Sequence, residues 1–272
     1  MSLAIVTGSS AGLGFYTALG LAQSGTERVI VTSRSFQRAK DASNRLTAIY
    51  PRAEFLPYQL ELHDLIKVQA FADKITSDQG NWNLLVNNAG AKIERPVKKT
   101  VQGFEWHYGV NHLAHFALTS WLRGSAAIDA RVVANASIVA RIGNSKWWEN
   151  SLEATATEQY AASKLANLCF ALELNRSDHL TATAAHPGFA RAEPYGSKMV
   201  RATEYLFAQS AKAGARPIIE AAKQEVPRGT YWAPRLLEMW GKPKEVEVPG
   251  SASAENQALI WKVSEAQRGF KF

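Results

Sequence analysis

The chain has 272 residues, of which 46% are hydrophobic and 20% charged, the composition of an ordinary globular protein with a sizeable core. Its formal net charge of +7 suggests an anionic partner, but no run of Lys or Arg exceeds two residues, and this scatter argues against nucleic-acid binding. The sequence contains no long apolar stretch and no basic start, so we expect neither a membrane span nor a signal peptide. Cys169 is the only cysteine, so no intrachain disulfide can form, which favours a reducing, cytoplasmic location.

Short apolar runs alternate with helix-like segments along most of the chain. We predict buried strands over residues 3–6, 29–32, 84–86, 131–134 and 182–185, and helices over residues 13–24, 37–49 and 66–78. Strands that alternate with helices form parallel sheets, and such strands are apolar throughout because helices cover both faces. The sequence therefore predicts an α/β fold, a single doubly wound Rossmann domain over residues 1–272 with about seven parallel strands. The last part, about 235–272, is expected to be an irregular extension.

The first turn is rich in glycine and serine, TGSSAGLG at residues 7–14. A strand, a glycine-rich turn and a helix together form a phosphate cradle, because the bare backbone and the helix N-terminus can approach a pyrophosphate. We assign Gly8 to the tight turn, Gly12 to the close approach and Gly14 to helix–strand packing. The predicted dinucleotide contacts in this turn are Gly8, Ser9, Ser10, Gly12, Leu13 and Gly14.

The end of the second strand distinguishes the two nicotinamide dinucleotides. An acidic residue there holds the ribose 2′-hydroxyl of NAD, whereas an arginine accommodates the 2′-phosphate of NADP. Residues 29–40 contain Ser33, Arg34 and Arg38 and no carboxylate, and an arginine presents a bidentate fork to phosphate. We therefore expect NADP(H), the alternative being two surface arginines at the start of a helix.

A further helix is predicted at YAASKLANLCF, residues 160–170, where Tyr160 and Lys164 share one face because residues four apart are neighbours. Taken alone, this pair also fits an ordinary amphipathic helix. Other motifs stand in order before and after it: NNAG at 87–90, GVNHLAHFALT at 109–119, NASIVARIG at 135–143 and HPG at 186–188. Together with TGSSAGLG they resemble the short-chain dehydrogenase/reductase family over roughly residues 3–193.

The branch of the family is indicated by spacing and by longer motifs. Tyr160 stands 23 positions after Ser137, a longer gap than in much of the family. This gap, with VNHLAHF, YAASKLAN and HPGFARAE, resembles the retinol-dehydrogenase-like branch, whose members act on bulky apolar alcohols, aldehydes and ketones. Many members of the family are homodimers or homotetramers built on the helices that here carry Asn111 and Tyr160, and the small residues of YAASKLAN permit such packing without requiring it.

The resemblance implies a catalytic set of Asn111, Ser137, Tyr160 and Lys164. Ser137 would hold the carbonyl oxygen against Tyr160, the proton donor, while Asn111 would keep a water in line with Lys164. A free tyrosine has a pKa near 10, and we expect the Lys164 ammonium to lower it. The resemblance also implies cofactor contacts from Glu61, Leu62, Asn88, Ala89, Gly90, Tyr160, Lys164, Pro187, Gly188 and Phe189.

Some residues depart from the family pattern or invite another assignment. Glu61 replaces an aspartate near the adenine, Ala136 replaces the first of two serines, and Ala192 replaces a threonine that helps to hold the nicotinamide carboxamide. His112 and His115 have no carboxylate or cysteine at ligand spacing, so we expect structural roles and no metal.

The substrate side is less sharply defined. Adjacent tryptophans on an exposed loop are costly unless used, so Trp147 and Trp148 either line the substrate pocket or pack in the core. The family places a substrate lid at about residues 190–214, with an apolar inner surface formed here by Tyr195, Met199, Tyr205, Leu206 and Phe207. The predicted substrate contacts are Ser137, Trp147, Trp148, Tyr160, Tyr195 and Met199.

The expected function is an NADP(H)-dependent oxidoreductase that interconverts a carbonyl and an alcohol. Reduction of a bulky, apolar, aromatic or polyketide-like ketone, as in a biosynthetic ketoreductase, is the favoured direction. A reductase of C=C bonds with the same fold is one alternative. A non-catalytic NADP-binding regulator or scaffold is another, although such proteins usually lose the tyrosine or the lysine that this chain retains.

Overall fold

One mixed sheet organises the fold. The structure is a computed structural model that describes residues 2–93, 98–149, 153–178, 180–191, 208–269 and 271–272. Within these residues the sheet has eight strands in the order β3-β2-β1-β4-β5-β6-β7-β8, of which the first seven are parallel and β8 is antiparallel to β7. The strands are β1 (Leu3–Val6), β2 (Arg28–Ser33), β3 (Glu54–Gln59), β4 (Trp82–Asn87), β5 (Ala126–Asn135), β6 (Thr181–Ala185), β7 (Tyr231–Leu236) and β8 (Trp240–Val246).

Helices cover both faces of the sheet. In chain order the α-helices of the described residues are α1 (Gly12–Gln23), α2 (Phe36–Ile49), α3 (Leu65–Gln79), α4 (Ala114–Leu122), α5 (Ala156–Ser177), α6 (Ala211–Ala221) and α7 (Ala254–Arg268). The helices α1, α2 and α6 contribute to the core on one face, and α3, α4, α5 and α7 to the core on the other. Among the helices that the structure describes, none combines the length and the apolar character needed to cross a bilayer.

The central strands are apolar on both sides because helices cover both faces of the sheet. Leu3 and Ile5 lie in the core beneath α3, α4 and α5, whereas Ala4 and Val6 lie in the core beneath α1 and α2. Successive side chains of a strand point to opposite faces, so a central strand with helices on both sides needs an unbroken apolar run. The predicted doubly wound fold is confirmed.

The predicted elements agree with the structure, but three of its strands, β3, β7 and β8, are not among them. The five predicted strands and three predicted helices fall within or closely beside observed ones. Of the three unpredicted strands, β3 has the sequence EFLPYQ and is only partly buried. Its Pro57 is tolerated because β3 lies at the sheet edge, where a strand lacks a neighbour on one side.

The C-terminal part was wrongly expected to be irregular, since residues 240–268 contain both β8 and α7. The turn between β7 and β8 contains no glycine; Leu237 and Glu238 adopt positive φ angles there instead, so the usual hairpin signal is absent. The bounds of α7 follow ordinary rules: the Ser253 side chain accepts from the Asn256 N–H, and Gly269 adopts the left-handed conformation after the last turn.

The proposed lid lies largely outside the described residues, including Ala192, Tyr195, Met199, Tyr205, Leu206 and Phe207. At its two ends the structure shows a parallel bridge between Ala190 and Gln209, followed by α6.

Helix α7 packs across α4 and α5 through an aromatic cluster. Phe116 of α4 is fully buried and has the rings of Phe170, Trp261 and Phe272 at centroid distances of 5.4, 5.4 and 5.1 Å. The His112 Nε2 atom lies 2.8 Å from the Ser264 hydroxyl of α7. The C-terminal helix is therefore part of the main core.

Removal of the Phe116 ring tests this cluster. Truncation of a fully buried phenylalanine leaves a cavity, so we expect Phe116→Ala to lower the free energy of unfolding by about 3–5 kcal/mol, measured by urea unfolding. Phe36→Ala, the same deletion at a residue that is 48% exposed, is the matched control and should lower it by much less. Equal losses would contradict the central place of Phe116.

Candidate active site

A cleft of about 560 Å³ opens at the carboxyl ends of the parallel strands. It lies where the strand order reverses, between β1 and β4, which is the usual ligand position in doubly wound sheets. Most of the predicted site residues meet here: Gly8, Ser10, Gly12, Leu13, Gly14, Ser33, Arg34, Arg38, Leu62, Asn88, Ala89, Gly90, Ser137, Tyr160, Lys164, Pro187 and Gly188.

The glycine turn has the three features expected of it. Gly8 and Gly12 have φ angles of +63° and +57°, which are unfavourable for other residues. A Cβ on Gly14 would lie 2.4 Å from the Gly8 carbonyl oxygen and 2.6 Å from Asn88 Nδ2, so the helix and turn approach as closely as glycine permits. A Cβ on Gly12 would meet nothing within 4 Å, which leaves its backbone open to the cleft.

The start of α1 is suited to an anion. The residue before it, Ala11, cannot cap with its side chain, and the first turn contains no acidic residue. The first N–H groups of a helix lack partners within the helix and carry partial positive charge. An uncapped helix start beside a bare glycine turn fits the pyrophosphate of a dinucleotide.

The next strand end also presents positive charge. Arg34 and Arg38 line the cleft and are exposed, and the Ser33 side chain lies beside them. The Ser35 hydroxyl caps α2, whose first turn contains no acidic residue. The described residues at this strand end therefore offer guanidinium groups and a helix N-terminus, without a carboxylate to repel a phosphate.

The structure places the serine, tyrosine and lysine together. Ser137 follows β5, and Tyr160 and Lys164 lie on α5, whose start is fixed by a capping box between Thr155 and Glu158. Ser137 and Tyr160 both line the cleft, and the serine side chain is near enough to the phenol to lower its pKa. The Lys164 Nζ atom lies 5.9 Å from the centre of the Tyr160 ring and donates to the Asn135 carbonyl oxygen at 2.9 Å.

Burial shifts the pKa values of both Tyr160 and Lys164, and for Tyr160 the direction differs from the expected one. Burial raises the pKa of Tyr160 above 10, and the Ser137 side chain only partly opposes this. The expected fall in the pKa of Tyr160 is therefore wrong for this structure, because the loss of hydration outweighs the distant ammonium. Burial also lowers the pKa of Lys164 to about 8, since this lysine is 4% exposed.

Asn111 lies immediately behind the cleft, in a π-helical turn, Tyr108–Leu113, that precedes α4. Such turns are rare and often occur at functional sites. Its Oδ1 accepts from the Ala91 N–H at 2.6 Å and its Nδ2 donates to the Ser163 hydroxyl at 2.9 Å. A Cβ on Gly90 would lie 3.2 Å from Asn111 Oδ1 and 3.5 Å from Lys164 Nζ, so both polar groups approach this glycine.

His115 joins the same turn to the glycine turn. Its Nδ1 donates to the Asn111 carbonyl oxygen at 2.8 Å, and its Nε2 accepts from the Thr7 hydroxyl at 2.9 Å. Burial lowers the pKa of His115 to about 4, and that of His112 to about 3, so both rings are neutral at pH 7. Both histidines make structural contacts, as expected.

Three predicted cofactor residues do not line the cleft. The Ser9 hydroxyl is buried and donates to the Val6 carbonyl oxygen at 2.7 Å, which pins the turn. The Glu61 carboxylate pairs with Lys67 at 2.7 Å, and this contact lowers its pKa. The Phe189 N–H donates to the Met239 carbonyl oxygen at 3.1 Å.

The two tryptophans belong to the core. Trp148 is 2% exposed, and its Nε1 donates to the Ala162 carbonyl oxygen of α5 at 2.9 Å. Trp147 is half-buried against the same core, with Lys146 Nζ 4.1 Å from its ring centre. The core-packing alternative is therefore correct for Trp148, and the substrate contact of Trp147 stays a prediction. The predicted contacts of Tyr195 and Met199 lie outside the described residues.

Some residues of the cleft were missed in the sequence. His63 and Trp106 line it, with ring centroids 5.9 Å apart, and nothing in the spacing of LELHD or FEWHYG marks them. Asn135 could have been predicted, because it is the first residue of the motif NASIVARIG. Its carbonyl oxygen accepts from Lys164 and Asn167, and its side chain donates to the Asn88 carbonyl oxygen at 3.1 Å.

The fold and the cleft together are those of a dinucleotide-binding α/β domain. This chain belongs to the short-chain dehydrogenase family, because the family described as short chain dehydrogenase matches residues 2–193. The members of this family are oxidoreductases that bind a nicotinamide cofactor, and similarity to retinol dehydrogenases confirms the expected branch.

Known proteins show how far the likeness extends. Mouse (Mus musculus) retinol dehydrogenase 12 is 35% identical over 196 residues, which are 70% of this chain and 61% of that protein. The crystal structure of an uncharacterised protein from Mycobacterium paratuberculosis is 32% identical with a TM-score of 0.82, covering 100% of this chain and 95% of that one. A short chain dehydrogenase from Burkholderia cenocepacia, solved with NADP, shares the fold at 22% identity and a TM-score of 0.67, covering 85% of this chain and 94% of that one.

Replacement of Lys164 by methionine, which is uncharged and of similar length, measures the cost of burying its charge. Because the pKa of Lys164 is lowered from 10.5 to about 8, the unfolded chain binds more protons here between those values. The contribution of this group to the free energy of unfolding therefore rises with pH, by about 3 kcal/mol over that range. We expect Lys164→Met to be more stable than the wild type at pH 7.5 and to lose this advantage by pH 10.5, in urea unfolding.

Lys40→Met, at an exposed position, is the matched control and should show no comparable pH dependence. A difference between Lys164→Met and the wild type that stays constant with pH would contradict the buried charge.

Proposed function

We propose that this protein is an NADP(H)-dependent oxidoreductase that reduces a carbonyl to an alcohol on a bulky, apolar substrate. The observation that carries the proposal is the grouping of Ser137, Tyr160 and Lys164 in one cleft with a glycine-rich turn. A binding module would need the turn alone and would not need a buried lysine next to a tyrosine.

The residues present divide the work between binding and proton transfer. The N–H groups at Gly12 and Leu13 would hold the pyrophosphate, and Lys164 would bind ribose hydroxyls, which would add acceptors around its ammonium. When bound, the nicotinamide supplies or accepts the hydride. The protein's own part is to orient the carbonyl through Ser137 and to deliver a proton from the Tyr160 hydroxyl.

The protonation state of Tyr160 is compatible with carbonyl reduction. A carbonyl reduction needs a protonated phenol as the acid, whereas alcohol oxidation needs the phenolate as the base. The phenol of Tyr160 is neutral at pH 7 with an ordinary or a raised pKa, so the acid form is present, and the raised pKa itself does not select the direction. The Asn111 side chain, close behind Gly90 and Lys164, is placed to support the return of the proton from solvent.

The preference for NADP(H) rests on Arg34 and Arg38. Both line the cleft beside Ser33, at the strand end that reads the adenosine ribose. The Burkholderia relative of the same fold was solved with NADP, which agrees with this choice.

The substrate class rests on the apolar side chains of the cleft and on the relatives. Trp106, Val110 and Ala136 give the cleft apolar surface. The mouse relative is a retinol dehydrogenase by name, so a bulky, unsaturated or ring-containing carbonyl is the first class to try. The cytoplasmic location stays a prediction.

Tyr160→Phe tests the proton donor. It removes the hydroxyl alone, so kcat for carbonyl reduction should fall by about 10²–10⁴-fold, while the affinity for NADPH stays within about twofold because the phosphate site is untouched. The assay follows NADPH oxidation at 340 nm with aromatic and polycyclic ketones and aldehydes, and binding by fluorescence titration. Tyr50→Phe, at the far end of α2, is the control and should keep full activity; unchanged turnover in Tyr160→Phe would refute the mechanism.

Arg34→Ala tests the choice of cofactor. Loss of a charge-assisted hydrogen bond to the 2′-phosphate should weaken NADPH binding on the order of 10- to 100-fold and leave NADH binding nearly unchanged. The exposed Arg52 provides the control, since Arg52→Ala removes the same net charge outside the cleft. If both dinucleotides lose affinity equally, the assignment of the 2′-phosphate site is wrong.

A further inference from the structure

The turn between β7 and β8 is unfavourable for its own sequence. Leu237 and Glu238 have φ angles of +49° and +55°, and the Met239 N–H donates to the Leu236 carbonyl oxygen at 2.9 Å to close the turn. Hairpin turns with two positive φ angles favour glycine or asparagine, since other side chains clash with the backbone there. Such strain persists only where surrounding contacts hold the backbone in place, and Glu238 makes contacts of this kind.

The Glu238 carboxylate joins two other segments. Arg141 Nη2 donates to Glu238 Oε1 at 2.6 Å and Arg141 Nε to Oε2 at 3.1 Å, a bidentate pair. His186 Nε2 lies 3.1 Å from the same Oε2, and the Gly188 N–H donates to His186 Nδ1 at 3.2 Å. Since Nδ1 accepts, Nε2 donates to Glu238, and burial lowers the pKa of this imidazole, which keeps it neutral.

Both of these segments form walls of the cleft. Arg141 belongs to the short helix Ile138–Ile142 that directly follows Ser137, and His186 begins the turn whose Pro187 and Gly188 line the cleft. Other residues of the hairpin make further contacts with these two segments. The Tyr231 hydroxyl donates to the Ser137 carbonyl oxygen at 3.2 Å, and a Cβ on Gly188 would lie 2.4 Å from the Met239 carbonyl oxygen.

We propose that Glu238 is a positioning residue, which holds the segment of Ser137 and the turn of Gly188 at a fixed separation across the catalytic end of the cleft. The inference rests on the proposed function, because that separation sets where a carbonyl on Ser137 meets a nicotinamide bordered by Pro187 and Gly188. The contacts of Glu238 with Arg141 and His186 are called the clasp below. The hairpin lies beyond the residues 2–193 that match the family, so the clasp is a feature of this chain's C-terminal part.

Two substitutions at Glu238 and one at Leu237 separate positioning from stability. Glu238→Gln keeps the shape but loses the charge, whereas Glu238→Gly loses the clasp and relieves the positive φ angle, which offsets the loss of stability. The control is Leu237→Gly, which relieves the same strain next to an intact clasp.

We expect kcat to fall about tenfold in both Glu238 variants. NADPH affinity should stay within about twofold of the wild type, and the thermal midpoint of Glu238→Gly should stay close to that of the wild type. Leu237→Gly should keep kcat and raise the midpoint.

A second measurement does not depend on turnover. The fluorescence anisotropy decay of bound NADPH reports local motion of the nicotinamide, and we expect faster motion in both Glu238 variants than in the wild type and in Leu237→Gly. Unchanged kcat and unchanged nicotinamide motion in Glu238→Gly would overturn the positioning role. A loss of kcat that follows the thermal midpoint across all three variants would also overturn it, in favour of plain stability. Failure of Tyr160→Phe to lose activity would refute the proposed function alone, since the anisotropy measurement would still decide the role of Glu238.

Discussion

The hydroxyl of Thr7 is the point on which the active-site geometry depends. It accepts from the N–H groups of Asn88 and Ala89, each at 2.9 Å, and contacts His115 Nε2 at the same distance. Three chain segments far apart in sequence are thereby joined at one atom: the glycine turn, the segment after β4, and the start of α4, where His115 also donates to the Asn111 carbonyl oxygen. Because Thr7, Asn88 and His115 are buried, loss of a bond among them would leave a polar group without water, and the arrangement is held as a unit.

A second junction, the carbonyl oxygen of Asn135, connects the catalytic residues to this unit. It accepts from Lys164 and Asn167 of α5, and the Asn135 side chain donates to the Asn88 carbonyl oxygen. The lysine is thus held by a backbone carbonyl, and within the described part of the chain no carboxylate pairs with it, so its charge is poorly compensated. A site optimised for stability would not bury an ammonium this way. The lowered pKa of Lys164 is consistent with a group arranged for a ligand that the protein must still bind.

The sequence predicts those parts of the molecule in which backbone and pattern decide the outcome. The runs 3–6 and 84–86 must be buried strands because they are apolar on both faces, and the glycine spacing indicates where a phosphate can approach. Side-chain direction is not encoded in such patterns. Glu61 turns to Lys67 and Trp148 turns into the core, although both stand at positions that suggest the cleft. The hairpin of Leu237 and Glu238 was missed because its strain is compensated by contacts with Arg141 and His186, which are distant in the sequence. The sign of the pKa shift of Tyr160 likewise depends on burial, which only the three-dimensional structure gives.

The position of α7 bears on how this protein meets a second copy of itself. The family resemblance would place a pairing of two copies on α4 and α5, and here Trp261 and Phe272 rest against Phe116 and Phe170 of these helices. A pairing of two copies through this surface would first have to displace these rings. The chain itself thus supplies apolar cover that a partner would otherwise provide. The aromatic contact of α7 with α4 and α5 is intramolecular, so its strength, unlike that of an association, does not change with protein concentration.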